Sequence, residues 1–432
     1  ITIVNFAHLK ARSTAMEKAG KKKIVMISDH ALSTSGVGTQ SRHLINGLVK
    51  KGCWTVRQLG AAMKHDDYSV VKVNEDFIVK PIDSFGTREM IRVVLATEKP
   101  DIIFLFTDPR FYVHIFEMED EIHQVCPIVY WHVWDNEPYP DYNDGYYESV
   151  DLINCHSYHT YQQVAKHHPN KTNFIPHALP EEVFFQIPQQ EANNLKIKTL
   201  GFDRKDHFVG FWMNRNARRK RPGDLLWAWQ IFLERLEKEE GHKKATLLLH
   251  TDPKDSEGPN LFAAAEKLGI VENLVFSNQR VGFDVVNQMQ NFSDFTINIS
   301  YAEGFGLSTL EAMQVGTPII APMTGGQTRQ VVDHRDGSEN GFALPIELKT
   351  LVGSQTVPYI YEDYMSVETI AEKIYQMYKL GPEGRKKLGQ KAKKYVEEEF
   401  SYQKTVDLWH ETMLNTIDTW EQNYKRVVVE EI

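Results

Sequence analysis

The chain has 432 residues, 42% hydrophobic and 25% charged, a globular composition and too great a length for one ordinary core, so two domains are expected. The net charge of −9 gives no overall pull toward nucleic acid, which leaves a basic footprint on its partners. Cys53, Cys126 and Cys155 lie far apart without Cys-x-x-Cys spacing, so neither a disulfide framework nor a zinc site is indicated and a reducing cytoplasm is expected.

The first 23 residues are basic and lack a long apolar stretch, so a mobile or helical arm is expected rather than a secretory signal. No apolar run is long enough for a transmembrane helix. Residues 24–27 then read as a buried strand, Gly36-Val37-Gly38 as part of a loop, and Leu44, Ile45, Leu48 and Val49 as one face of a helix. Strands follow at 55–59, 102–106, 128–133, 152–155 and 174–175, with helices at 87–97 and 158–166. Around 186–206 the pattern lapses into a polar stretch, the expected linker. Beyond it the alternation restarts, with strands at 208–212, 245–250, 274–276, 295–299 and 318–321. Helices are expected at 222–237, 260–268, 283–291 and 397–424. Such alternation predicts two doubly wound α/β domains facing a central cleft, with sites at the carboxyl ends of their parallel strands.

Five stretches carry the chemistry. The turn Tyr301-Ala302-Glu303-Gly304-Phe305-Gly306-Leu307-Ser308 joins a buried strand to a helix and is flanked by two carboxylates, Glu303 and Glu311. Free N–H groups at such a helix start favour phosphate. Ser308-x-x-Glu311 also reads as a capping box, in which Glu311 serves the helix's own donors. The second stretch, Arg215 to Arg221, follows a strand and opens a helix; it reads as a diphosphate grip or as a solvated basic loop. The third is His132 at a strand end, followed by Asp135, for which packing and turn-capping are the alternatives. The fourth is Gly36 and Gly38, which serve a phosphate or only a turn. Ser41 stands where a dinucleotide fingerprint needs glycine, so a nicotinamide enzyme is disfavoured. The fifth is the loop at Arg280, whose flat guanidinium suits stacking on a base.

The spacing of Glu303 and Glu311 around Gly304-Phe305-Gly306, with Gly316-Thr317-Pro318 and Gly325-Gly326 after it, resembles the retaining, nucleotide-sugar-dependent glycosyltransferases of family 4. The likeness is close over about 209–343 and loose in the first half, through Gly36, Gly38 and His132. It implies a GT-B fold, with residues 1–190 as the acceptor-side domain, 191–399 as the nucleotide-sugar domain, and a final helix in 400–432 packed back on the first. It implies that Arg215 and Lys220, with Arg219 as an alternative to Lys220, grip the donor diphosphate beside the N–H groups near Gly306, Leu307 and Ser308. Glu311 would hold the ribose, Glu303 the sugar hydroxyls, and His132 the sugar from the other domain. Gly304, Phe305, Gly36, Gly38 and Arg280 would line the donor site, with Asp135 on the acceptor side. The implied donor is a UDP- or GDP-sugar, and the implied acceptor is a hydroxyl of a glycan, a lipid or a modified nucleobase. No Asp-x-Asp triplet occurs, so no metal requirement is expected. Replacing Arg215 or Lys220 is expected to cost turnover more than stability. The rival readings are a same-fold sugar-nucleotide epimerase or phosphorylase, and a nucleic-acid-binding module using Arg215–Arg221.

Overall fold

The computed structural model describes residues 20–135 and 137–424; most of the basic amino-terminal segment, residues 1–19, lies outside the described residues, as do 425–432. The described residues build two large sheets and one small one. The first sheet contains β1 (Lys22–Asp29), β2 (Trp54–Ala61), β3 (Val71–Asn74), β4 (Phe77–Pro81), β5 (Ile102–Thr107), β6 (Ile128–His132), β7 (Leu152–Cys155) and β8 (Thr172–Phe174). Their spatial order is β3-β4-β2-β1-β5-β6-β7-β8, and every pairing is parallel except β3 with β4. All six residues of β5, Ile-Ile-Phe-Leu-Phe-Thr, are buried, the pattern of a strand covered by helices on both faces.

The second sheet contains β9 (Phe208–Met213), β10 (Ala245–His250), β11 (Leu274–Ser277), β12 (Phe295–Ile297), β13 (Ile319–Pro322) and β14 (Phe342–Leu344). It is fully parallel in the order β11-β10-β9-β12-β13-β14. The strand order reverses direction beside β1 in the first sheet and beside β9 in the second, and such switch points open crevices at the carboxyl ends of the strands. A hairpin of β15 (Leu348–Val352) and β16 (Ile360–Tyr364) follows. It reaches the first domain, where Tyr361 N donates to Glu137 O at 2.7 Å and Tyr142 Oη donates to Tyr359 O at 3.1 Å.

The polar stretch expected as a linker is instead ordered structure. Helix Gln189–Leu200 and a 3-10 turn, Phe202–Arg204, occupy it. Ala192 and Leu200 are buried in the core that holds Val209, Phe211 and Met289, so the segment belongs to the second domain's packing. Caps define several helix starts: Ser35, Thr87, Ser157, Asn260 and Ser401 each accept a hydrogen bond from a backbone N–H in the first turn.

Ser401 also separates helix Gly381–Glu399 from the last helix, Tyr402–Asn423. Val406, Trp409, Met413 and Ile417 of that last helix are buried among Ile24, Leu44, Trp54 and Phe104 of the first domain. Lys51 pairs with Asp407 at 2.5 Å, and Trp54 Nε1 donates to His410 Nδ1 at 2.8 Å. A Cβ on Gly47 would lie 2.4 Å from Val406, so glycine lets the two helices approach closely. Among the described residues, no helix is long and apolar enough to cross a membrane.

Candidate active site

Buried β12 delivers the chain into the turn 300–306 and then helix Leu307–Gln314. Gly306 occupies the cap position at φ +90°, and no side chain caps the helix. A side chain at Gly306 would also collide with Gln327, 2.8 Å from the position of its Cβ. Gly304 lies against the first domain, because a Cβ there would come within 2.8 Å of Asp135 Oδ1 and 2.9 Å of His156 Nε2. Ser308 sits inside the first turn rather than at its cap, and its hydroxyl has no partner among the described residues. Glu311 accepts from Gln290 Nε2 at 3.2 Å and makes no capping box. Burial, opposed only by that hydrogen bond, pushes the Glu311 carboxyl up to about 8.

Glu303 lies in a dense polar network. Its Oε2 accepts from Lys220 Nζ, and from Asn298 Nδ2 and Ser300 Oγ at 3.2 Å each, while Oε1 is 3.6 Å from Arg219. Burial raises this carboxyl, but Lys220 and Arg219 outweigh it and hold it at about 2. Arg219 also donates to Ala302 O at 2.8 Å and lies 3.6 Å from Asp135, so it spans the cleft.

The basic loop after β9 is set by Arg221, in the left-handed region at φ 56°. Its guanidinium donates to Asp224 at 2.8 Å and to Met365 O at 3.0 Å, which fixes the turn before Pro222 opens the next helix. The loop thereby turns Arg219 and Lys220 toward Glu303. Arg215 points elsewhere: it pairs with Asp255 at 2.8 Å and its side chain is 64% exposed. Of the expected diphosphate pair, only Lys220 reaches Glu303, and Arg219 stands beside it.

On the first domain, His132 is fully buried with both ring nitrogens engaged, Nδ1 by Tyr130 at 3.0 Å and Nε2 by Tyr147 at 2.7 Å. Burial, assisted by His156, pushes it down to about 3, so it stays neutral inside the domain. The histidine that faces Gly304 is His156, one residue past β7, where Cys155 pairs with His132 in register. Its Nδ1 is buried without a partner among the described residues, and its ring stacks 6.1 Å from Phe305. Burial holds His156 at about 4, against the pull of Asp135 and Glu303. Sequence reasoning missed it, although it follows a strand's carboxyl end as directly as His132 closes one.

The remaining expected residues divide. Ser35 caps a helix that begins at Gly36, so Gly36 and Gly38 open a helix rather than lie in a loop. A Cβ on Gly38 would sit 2.2 Å from Ser33 Oγ, and one on Gly36 would lie 3.1 Å from Leu307 Cδ1 across the cleft. Phe305 is buried against His177, and Leu307 packs beside the same core. Arg280 donates to Leu32 O at 3.0 Å, joining its loop to the first domain.

Residues 200–350 match the family described as Glycosyl transferases group 1. The chain is 31% identical over 122 residues to trehalose synthase of Pyrococcus horikoshii, covering 28% of this chain and 23% of that protein. It is 37% identical over 79 residues to D-inositol 3-phosphate glycosyltransferase of Mycobacterium sp. strain KMS, 18% of either chain. The matched stretches thus span less than a quarter of these curated relatives. Sucrose-phosphate synthase from Thermosynechococcus elongatus superposes with a TM-score of 0.70 at 16% identity, over 93% of this chain and 99% of that one. Anabaena Alr3699/HepE in complex with UDP and glucose superposes with a TM-score of 0.65 at 16% identity, over 91% and 100%. The two facing domains are therefore a GT-B fold, and its second domain carries the Glycosyl transferases group 1 match.

Proposed function

We propose that the chain is a retaining glycosyltransferase of the family 4 type, moving a sugar from a nucleoside diphosphate sugar to an acceptor hydroxyl. One observation carries this reading: Arg219 and Lys220 converge on Glu303 beside a helix start that no side chain caps, opposite Asp135 and His156 of the other domain. The likeness to a protein solved with UDP and glucose makes a UDP-sugar the first donor to try, with GDP-sugars next.

In this proposal Arg219, Lys220 and the N–H groups of Leu307 and Ser308 receive the diphosphate as its charge grows. Glu311 binds the ribose hydroxyls. Glu303, held ionised by the two cations, orients the sugar hydroxyls and the cations together. Asp135 and His156 approach the sugar from the first domain, and His132 supports that wall through Tyr147. The bond from the anomeric carbon to the donor phosphate oxygen breaks, and the acceptor oxygen bonds to that carbon on the same face. The acceptor's proton passes to the departing phosphate, which removes the need for a separate base. The acceptor is a hydroxyl of a glycan, a lipid or a modified nucleobase, and no metal is assigned a part.

The nucleic-acid reading loses support because Arg215, Arg219, Lys220 and Arg221 each already face a carboxylate. A melting screen with UDP, GDP, ADP and their sugar conjugates tests the proposal, since a ligand of the native state raises the midpoint. At least one nucleotide is expected to do so, and Glu311→Gln to weaken it about tenfold or more. No shift with any of them, together with salt-sensitive binding to nucleic acid, would return the rival reading. Turnover of a nucleotide sugar without transfer to any hydroxyl would favour the epimerase or phosphorylase.

A further inference from the structure

Gln290, on helix Phe283–Phe292, is fully buried, and both ends of its amide are engaged. Oε1 accepts from Thr296 Oγ1 at 2.6 Å. Nε2 donates to Ser308 O at 2.9 Å and to Glu311 Oε2 at 3.2 Å. Thr317 Oγ1 donates to Gln290 O at 2.6 Å, which pins the backbone as well. Only one orientation of this amide is satisfied: turned over, Oε1 would face the Ser308 carbonyl, which cannot donate. The Ser308 carbonyl, which can only accept, therefore selects the orientation in which the N–H groups meet Glu311, and the Thr296 hydroxyl, able to donate or accept, completes it.

The geometry points to Gln290 as a positioning residue that holds the Glu311 carboxylate, and the first turn bearing Ser308, in the arrangement that receives the donor ribose. This rests on Glu311 being the ribose ligand. Glu311 lies on a helix whose residues from Ser308 to Gln314 are all buried. Among the described residues no charged side chain opposes the burial that raises it, and the Gln290 amide alone does so. Loss of that donor leaves the ionised form without its protein partner. Gln290 reaches both the helix carbonyl and the carboxylate from a neighbouring element, so it ties the ligand's two contact points, N–H groups and carboxylate, to one scaffold.

The test uses the full chain and whichever of UDP, GDP and ADP most raises the wild-type melting midpoint, beside its 2′,3′-dideoxy counterpart. Affinities for both are measured by calorimetry for wild type, Gln290→Met and Thr296→Val. Measured above pH 8, where the Glu311 carboxyl is ionised, wild type is expected to prefer the ribonucleotide by about tenfold or more, as for a charged hydrogen bond. In Gln290→Met that preference should fall toward one, with most of the loss in the ribonucleotide's affinity. Thr296→Val, which leaves Oε1 without its donor and so loosens the amide, should reduce the preference partway, and it serves alone if Gln290→Met does not fold. An undiminished preference in the variants, even with lowered melting midpoints, overturns the inference, because Gln290 then only packs. A wild-type preference near one, unmoved by Glu311→Gln, overturns the ribose reading itself and the inference with it.

Discussion

Lys220 and Glu303 oppose each other with side chains only 12% and 9% exposed. Removing one partner of such a pair strands a buried charge, at a cost of about 3–5 kcal/mol. Lys220→Met is therefore expected to lower stability sharply, and adding Glu303→Gln to restore much of it. Denaturant titration checks this, and a double variant no more stable than the single one would remove the pair from the account. The earlier expectation that losing Lys220 affects turnover more than folding is revised by this burial. The two carboxylates also respond to pH in opposite senses. Glu303, held at about 2, adds stability above its ordinary value of 4.5, which is lost as pH falls from there toward 2. Glu311, raised to about 8, binds its proton more tightly when folded. Stability from this group is greatest below pH 4.5 and declines as pH rises toward 8. Glu311→Gln should thus match wild type near pH 4.5 and exceed it at pH 8 by a few kcal/mol, at ~1.4 kcal/mol per pKa unit. Equal melting midpoints at both pH values would contradict the burial argument. The sequence marked out Glu303 and Glu311 by their local spacing around Gly304 and Gly306, and Lys220 by its place in a basic run between a strand and a helix. It could not separate Arg215 from Arg219, because the left-handed turn at Arg221 decides which side chains face inward. Nor could it separate His132 from His156, since Tyr130 and Tyr147 take up the first ring from different parts of the chain.

The last helix shows how an element's place depends on its apolar stripe. Trp409 is fully buried, 5.1 Å from Phe104 and 5.0 Å from Trp131 between ring centroids. Trp409→Ala should cost about 3–5 kcal/mol, as for other large-to-small core changes. It should also lower the melting midpoint of the first domain rather than the second, read by hydrogen exchange in β1 and β5. Protection lost only around β9 and β10 would count against the packing described. The same reasoning predicts that residues 20–186 expressed without Tyr402–Asn423 aggregate and that the helix peptide rescues them. The buried parallel strands were legible because they are apolar runs, and β7 and β10 begin and end where the pattern places them. Helix Gln189–Leu200 was not, because it buries only Ala192 and Leu200 and its polar residues carry no clear stripe. The hairpin β15–β16 escaped for a related reason: Leu348, Leu351 and Val352 are exposed, so no alternation marks a buried face.

At the scale of the whole molecule, contacts bridge the two domains at several places. Arg280 reaches Leu32, Tyr361 meets Glu137, Arg219 faces Asp135, and Leu307 fills the space before Gly36. A donor seated between Arg219 and the helix start has to pass or part these contacts. The consequence is a matter of clocks rather than of contacts. If parting is slower than encounter, the observed rate of nucleotide binding should level off as concentration rises, at the rate of parting. Mixing nucleotide with protein in a stopped-flow instrument, following tryptophan emission, should therefore give a plateau. Arg280→Ala, which deletes one bridge without touching Glu303 or Glu311, should raise that plateau several-fold. A rate that climbs linearly throughout, and equally in both proteins, would mean that the two halves breathe faster than nucleotides arrive.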